Sequence, residues 1–376
     1  MSYRDVRGRW KSAGRGRTRA AGAPLMAGRG RRLRIRHVAG FVLGAVLAWV
    51  LVDAGYWLIF LRDPALRLDP CRGLVPVSRS QALRTNEGFS YQAGFNAHGS
   101  VELPSPSRPR RRVVLLGDSE SAGYALEPRF HYGALLAQRF PDVEFFCEAQ
   151  PNYSAADHLR LARCSGGFAG FNLVVIQGSE RDVGPEAFSS SRGRGMAVAS
   201  IRGGTVSLAA EPLGWVGRHL EPFNALTRFD GLGRRLMVLV RELARVVRAR
   251  PPARGAAVPD TLDAAAMDAL LGALQREVEP PIVWLYLPRM HGTGGDRRLD
   301  DPHGPAFLRG CARAGIEWVD PGEELLRFRS PSGGYANGGP LTRPGMGHLN
   351  ADGHRLLFEA VTPLVSRFVD HGSGRP

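Results

Sequence analysis

Short apolar runs, each closed by a glycine or proline and separated by helical patterns, constrain this chain more than any other feature. Val113-Val114-Leu115-Leu116 ends at Gly117, Leu173-Val174-Val175-Ile176 ends near Gly178, and Ile282 to Leu287 ends at Pro288. Runs this brief and this apolar mark strands buried on both faces. Val143 to Cys147 and Glu317-Trp318-Val319 supply two more strands. Phe130–Phe140, Ala155–Arg163, Ala306–Ala314 and Asp352–Phe368 carry helical patterns. Strands alternating with helices imply βαβ units. The expected fold class is therefore α/β: three α/β/α layers around a mainly parallel sheet, with functional residues at the carboxyl ends of strands.

Two stretches break this rhythm. Residues 62–110 read as a connector, because Pro64, Pro70, Pro76, Pro104, Pro106 and Pro109 punctuate them and prevent a helix. Residues 183–280 read as an insertion or lid within a domain spanning 111–370. In it Ser189-Ser190-Ser191 looks like a loop, while Arg234–Arg248 and Asp260–Glu277 have helical spacing.

Upstream, residues 1–37 hold eleven Arg, Lys11 and a single acid, Asp5. They carry +11 of the formal net charge of +15, which leaves about +4 for the rest of the chain. A basic block confined to a tail does not make the body a polyanion binder, and no nucleic-acid partner is expected. Residues 38–61 are apolar apart from Asp53. As a helix they extend roughly 36 Å at about 1.5 Å per residue, against a hydrocarbon core of about 30 Å. The expectation is one transmembrane helix with a cytoplasmic N-terminus and the body translocated. A cleaved signal peptide and a buried core helix are the rival readings.

The four cysteines, Cys71, Cys147, Cys164 and Cys311, form no C-x-x-C pair. One or two disulfides and separate buried thiols stay open as alternatives. The histidines lack metal-ligand spacing, and no cofactor is expected.

Two motifs carry chemistry. Gly117-Asp118-Ser119 follows the first strand directly, which puts Ser119 at a strand's carboxyl end, where backbone N–H groups can stabilise an oxyanion. A serine here can equally cap a helix. Far along the chain, Gly347-His348-Leu349-Asn350-Ala351-Asp352-Gly353-His354 opens the last helix. A histidine there can return to the sheet edge and act as base for a serine.

Together these blocks resemble the SGNH (GDSL) hydrolase superfamily, over about residues 111–370. The resemblance implies Ser119 as nucleophile and His348 as general base, with His354 packing or capping within the helix. The middle blocks depart from the family pattern. In Cys147-Glu148-Ala149-Gln150-Pro151-Asn152-Tyr153-Ser154, Asn152 stands where a glycine normally offers its backbone N–H to the oxyanion. Asn tolerates left-handed backbone better than most residues. In Ile176-Gln177-Gly178-Ser179-Glu180-Arg181-Asp182, Arg181 aligns with the asparagine that donates to the oxyanion. Asp118 and Asp182 are candidate supports. The acid expected shortly before the histidine is missing, since Gly345, Met346 and Gly347 precede His348. A backbone carbonyl or a distant acid has to orient the imidazole instead.

The resemblance implies an ester or acyl hydrolase outside the membrane, acting on an acetylated glycan, a lipid or a small ester. Two alternatives accompany it: a polysaccharide O-acyltransferase, and a catalytically impaired domain that binds glycan or scaffolds an envelope complex.

Overall fold

The computed structural model describes residues 40, 43–49, 51, 66–76, 81–85, 87–182, 197–202, 205–210, 264–292, 297–299, 301, 303–343 and 345–371. The chain divides into two units, Met1–Asp53 and Ala54–Pro376. In the first unit the described residues, 40, 43–49 and 51, are helical. The basic tail and most of the expected 38–61 span lie outside the described residues. Among those described, no helix is long and apolar enough to cross a membrane.

The second unit is built on five parallel strands: β5 (Arg111–Gly117), β6 (Val143–Ala149), β7 (Leu173–Gly178), β10 (Ile282–Tyr286) and β13 (Glu317–Val319). Their spatial order is β6-β5-β7-β10-β13, a doubly wound arrangement. All five match the strands expected from sequence, and the sheet is parallel throughout.

The period of two along each strand divides the core between the two faces. Val114 and Leu116 of β5 join Leu159, Leu270 and Phe307 on one side. Val113 and Leu115 join Leu136, Leu357 and Val361 on the other. The first layer comprises α3 (Ala155–Cys164), α4 (Ala264–Glu277) and α5 (Gly304–Ala314); the second includes α2 (Tyr132–Arg139) and α7 (Ala351–His371). Two short helices, α1 (Ser119–Ala122) and α6 (Gly322–Arg327), complete the set. The pattern over Phe130–Phe140 proves to be two elements. A 3-10 turn at Pro128–Phe130 gives way at His131, whose extended backbone and ring Nδ1 cap α2 by accepting the Gly133 N–H at 3.0 Å.

The connector departs most from expectation. It holds two antiparallel hairpins, β1 (Leu66–Asp69) with β2 (Gly73–Pro76), and β3 (Gln81–Arg84) with β4 (Ser90–Ala93). Its prolines exclude helix but not short strands. A Cys71–Cys164 disulfide fastens the first hairpin to the end of α3, and Cys147 and Cys311 are free and buried. Of the 183–280 insertion, a hairpin of β8 (Ala197–Arg202) and β9 (Thr205–Ala210) and the helix α4 are described. The expected Ser189–Ser191 loop and the Arg234–Arg248 helix lie outside the described residues. A further small pair, β11 (Met290–His291) and β12 (Arg298–Leu299), follows β10.

Candidate active site

The topology reverses direction between β5 and β7, and ligands of such sheets bind outside the strand ends at that point. Ser119 sits there as the first residue of α1, directly after β5. The corner is tight. A Cβ on Gly117 would lie 2.6 Å from Ser121 Cβ and 2.7 Å from Gln177 Oε1, so only glycine fits. Asp118 caps α1 by accepting the Glu120 N–H at 2.9 Å, and Gln177 Oε1 at the end of β7 accepts the Ser121 N–H at 3.1 Å. Burial raises the Asp118 carboxyl, against the opposing pull of its hydrogen bonds and of His348. Asp118 is thus the corner's cap and one of the acids facing the histidine.

His348 arrives from the other end of the chain. Asn350 caps α7 by accepting the Asp352 N–H at 3.0 Å and the Gly353 N–H at 3.2 Å. Asn337 donates to the Gly345 carbonyl at 2.8 Å and fixes the approach. The acid missing from the local sequence is Glu87, in the turn between β3 and β4. The His348 Nδ1–H donates to Glu87 Oε1 at 2.5 Å, and the His348 backbone N–H donates to the same carboxylate at 3.2 and 3.3 Å. Glu87 is only 8% exposed. Its backbone carbonyl accepts the Leu341 N–H at 3.0 Å, so the hairpin tip is docked on the loop that leads to His348. Gly347, with φ of 97°, leaves room for the carboxylate: a Cβ there would lie 2.6 Å from Glu87 Oε2.

The two ends of the chain meet through the residues that follow the two motif side chains. Glu120 Oε2 accepts the Leu349 N–H at 2.9 Å. Among the described residues no hydrogen bond joins the Ser119 hydroxyl to the imidazole itself. Burial opposes protonation of His348. The hydrogen bond to Glu87, with the charges of Glu120, Glu87 and Asp118, outweighs it and raises His348 to about 9. Burial raises the Glu120 carboxyl to about 7 against the pull of the His348 charge, with Asp118 and Glu87 adding to the rise.

The other expected residues fall into place unevenly. Asn152 adopts the left-handed backbone its glycine-like position requires, with φ of 66°, and is exposed. Arg181 is exposed, and its backbone N–H donates to Ser179 Oγ at 3.3 Å. Asp182 closes its own turn: its Oδ2 accepts the Ser179 N–H at 2.6 Å and the Ser179 hydroxyl at 3.3 Å. That role is structural. His354 is buried, and it packs against α2 instead of only within its own helix, its Nδ1 accepting the Tyr132 N–H at 3.2 Å. Sequence reasoning missed Glu87 and assigned nothing to Glu120. An N-x-G turn at Asn86-Glu87-Gly88 between two short segments was the available signal for the first. No cluster able to hold a metal ion occurs among the described residues.

No family model matches the chain, and no curated protein does. Solved structures do resemble it. A carbohydrate acetylesterase family member from Sinorhizobium meliloti is 14% identical, with 69% of this chain and 99% of that one covered, at a TM-score of 0.33. An extracellular lipase from Streptomyces rimosus is 17% identical, covering 66% and 99%, at 0.35. A lipolytic G-D-S-L family member from Veillonella parvula is 9% identical, covering 68% and 99%, at 0.35. The likeness is to structures named as an acetylesterase, a lipase and a lipolytic G-D-S-L family member. At such identities and scores it carries no conclusion about chemistry. That rests on the strand order and the side chains described above.

Proposed function

We propose that this chain is a serine ester or acyl hydrolase of SGNH type. In this reading Ser119 attacks the ester carbonyl. His348 takes its proton at Nε2 and returns it to the leaving alcohol, and Glu87 orients the imidazole and stabilises its charged form. Backbone N–H groups at Ser119 and Asn152 hold the oxyanion, with Arg181 as a further cation near the strand ends. Water then releases the acid from the acyl-enzyme. The observation that carries the reading is the 2.5 Å hydrogen bond between Glu87 and His348 Nδ1, which fixes one ring nitrogen and leaves the other for a hydroxyl.

The deciding experiment is labelling with a fluorophosphonate probe, which bonds covalently to an activated serine. Labelling that disappears in Ser119→Ala and falls sharply in His348→Ala supports the hydrolase. A folded protein that never labels sinks it. A second reading, a glycan-binding domain without turnover, is favoured by the lack of a Ser119–His348 hydrogen bond among the described residues. Unliganded catalytic sites often show such looseness. An O-acyltransferase would label equally, and would differ by passing the acyl group to a sugar hydroxyl faster than to water.

We also propose that the body faces the outside of the cytoplasmic membrane on one N-terminal helix. The Arg-rich block before the apolar run supports this orientation. So does the Cys71–Cys164 disulfide, a bond that persists in oxidising compartments. Digestion of the body by protease added to spheroplasts is the expected result; protection would reverse the orientation.

A further inference from the structure

We propose that Glu120 is a positioning residue for the reaction: its carboxylate fastens the His348 segment to the Ser119 corner and sets the charge on the imidazole. The inference rests on the hydrolase reading and extends it to a residue outside the Ser119–His348–Glu87 set.

The geometry is a single bridge. Glu120 follows Ser119 in α1, and its Oε2 accepts the N–H of Leu349, which follows His348. The residues on either side of that hydrogen bond are therefore the proposed nucleophile and the proposed base. The link spans 229 positions in sequence. Other restraints on the His348 segment come from Glu87 in the β3–β4 turn, from Gly338, whose N–H donates to the His348 carbonyl at 2.8 Å, and from Asn337, which donates to the Gly345 carbonyl, and none of these hydrogen bonds reaches the Ser119 corner. Among the described residues, Glu120 is the hydrogen-bonded tie between the two segments.

Charge is the second half of the case. The imidazole faces Glu87 from the hairpin, and Asp118 and Glu120 from the β5–α1 corner. His354 of α7 interacts with it electrostatically. Glu87 is bonded to the ring, and Asp118 is occupied in capping α1. Glu120 adds negative charge to a buried site without pairing with the imidazole directly. Its ionised form favours imidazolium, which cannot accept a proton from serine, and its neutral form releases the ring to act as base. With Glu120 at about 7 and His348 at about 9, both groups titrate near the range in which such an enzyme works.

Three variants of the full-length protein separate tie from charge. Glu120→Gln keeps an acceptor for the Leu349 N–H and removes the charge. Glu120→Asp keeps the charge and shortens the reach. Glu120→Ala removes both. The readouts are the His348 titration by NMR of 15N-histidine-labelled protein and the rate of fluorophosphonate labelling across pH. The first needs no activity, so its failure is distinct from failure of the hydrolase reading.

The expected result for Glu120→Gln is a lower His348 titration midpoint. Labelling at neutral pH should then be about tenfold faster for each pH unit by which the midpoint falls, since that much more imidazole is neutral. Glu120→Asp should hold the midpoint near its original value and label at least tenfold more slowly. Glu120→Ala should show the lowered midpoint together with the slow labelling. An unmoved midpoint in both Gln and Ala variants overturns the charge role. Labelling in Glu120→Ala as fast as in Glu120→Gln overturns the positioning role. If Glu120→Ala fails to fold, the Gln and Asp pair still decides both points.

Discussion

Glu87 Oε1 and His348 Nδ1 lie 2.5 Å apart although 261 positions separate the two residues. The contact converts a lone histidine into an oriented, charge-stabilised one. Glu87→Gln preserves shape and loses the negative charge, so its effect isolates the electrostatic part. By comparison with the orienting acid of serine proteases, turnover of an activated ester should fall by up to roughly 10⁴-fold. Some loss of thermal stability below about pH 9 is expected alongside, because the Glu87 bond is what raises His348, and circular dichroism against temperature measures it while showing that the protein still folds. Retention of full activity in a folded Glu87→Gln protein would remove this residue from the mechanism.

The pH dependence follows from the same cluster. A base must be neutral, and His348 is raised to about 9. The labelling rate at Ser119 should climb about tenfold per pH unit through the neutral range and level off above about 9. Stability runs the other way. His348 gains protons on folding, so its contribution is fully present below its ordinary value of 6.5 and is lost as pH rises through about 9. Glu120, raised from 4.5 to about 7, acts in the same direction, stabilising below 4.5 and losing that effect as pH passes 7. Rates that increase while the melting temperature declines, measured from about pH 6 to about pH 10, are the signature.

Asn152 offers a cleaner backbone test. Its φ of 66° suits asparagine and glycine and strains other side chains. Glycine at this position should leave labelling and melting temperature close to the starting protein. Asn152→Val should cost about 1–3 kcal/mol and slow labelling by displacing the backbone donor. Equal behaviour of the glycine and valine proteins would show that this backbone conformation is not required.

How far these features could be read in the sequence depends on the range of the interactions behind them. Three of the five strands were legible because an apolar run closed by glycine or proline reports burial locally. Ser119 and His348 were legible because each sits at a fixed offset from such a run or from a helix start. Asn152 was legible only through the resemblance, as a position where a glycine is usual, and its φ of 66° fits that. Glu87 was not. The family pattern puts the orienting acid within a few residues of the histidine, whereas the fold supplies Glu87 from a hairpin inside a proline-punctuated segment, which no local pattern links to His348. Glu120 carried no signal either: one acid in a first helical turn ordinarily means dipole compensation, and only the partner Leu349 N–H gives it another role. Arg181 stands where the resemblance implies an asparagine, and it is exposed.

The disulfide makes a prediction that does not depend on the chemistry at Ser119. Cys71 and Cys164 are bonded across 93 positions, whereas Cys147 and Cys311 are buried, with burial raising both thiols to about 12. Thiolates are the reactive form, so the native protein should resist a thiol reagent at about pH 8. Denaturation without reductant should expose two thiols, and denaturation with reductant four, matching the four cysteines of the chain. A disulfide typically contributes about 2–4 kcal/mol, so Cys164→Ser should lower the melting temperature by several degrees. The loss should extend to activity, because the hairpin that the bond secures lies in the same segment as Glu87. Four reactive thiols in the unreduced, denatured protein would show that the bond does not form.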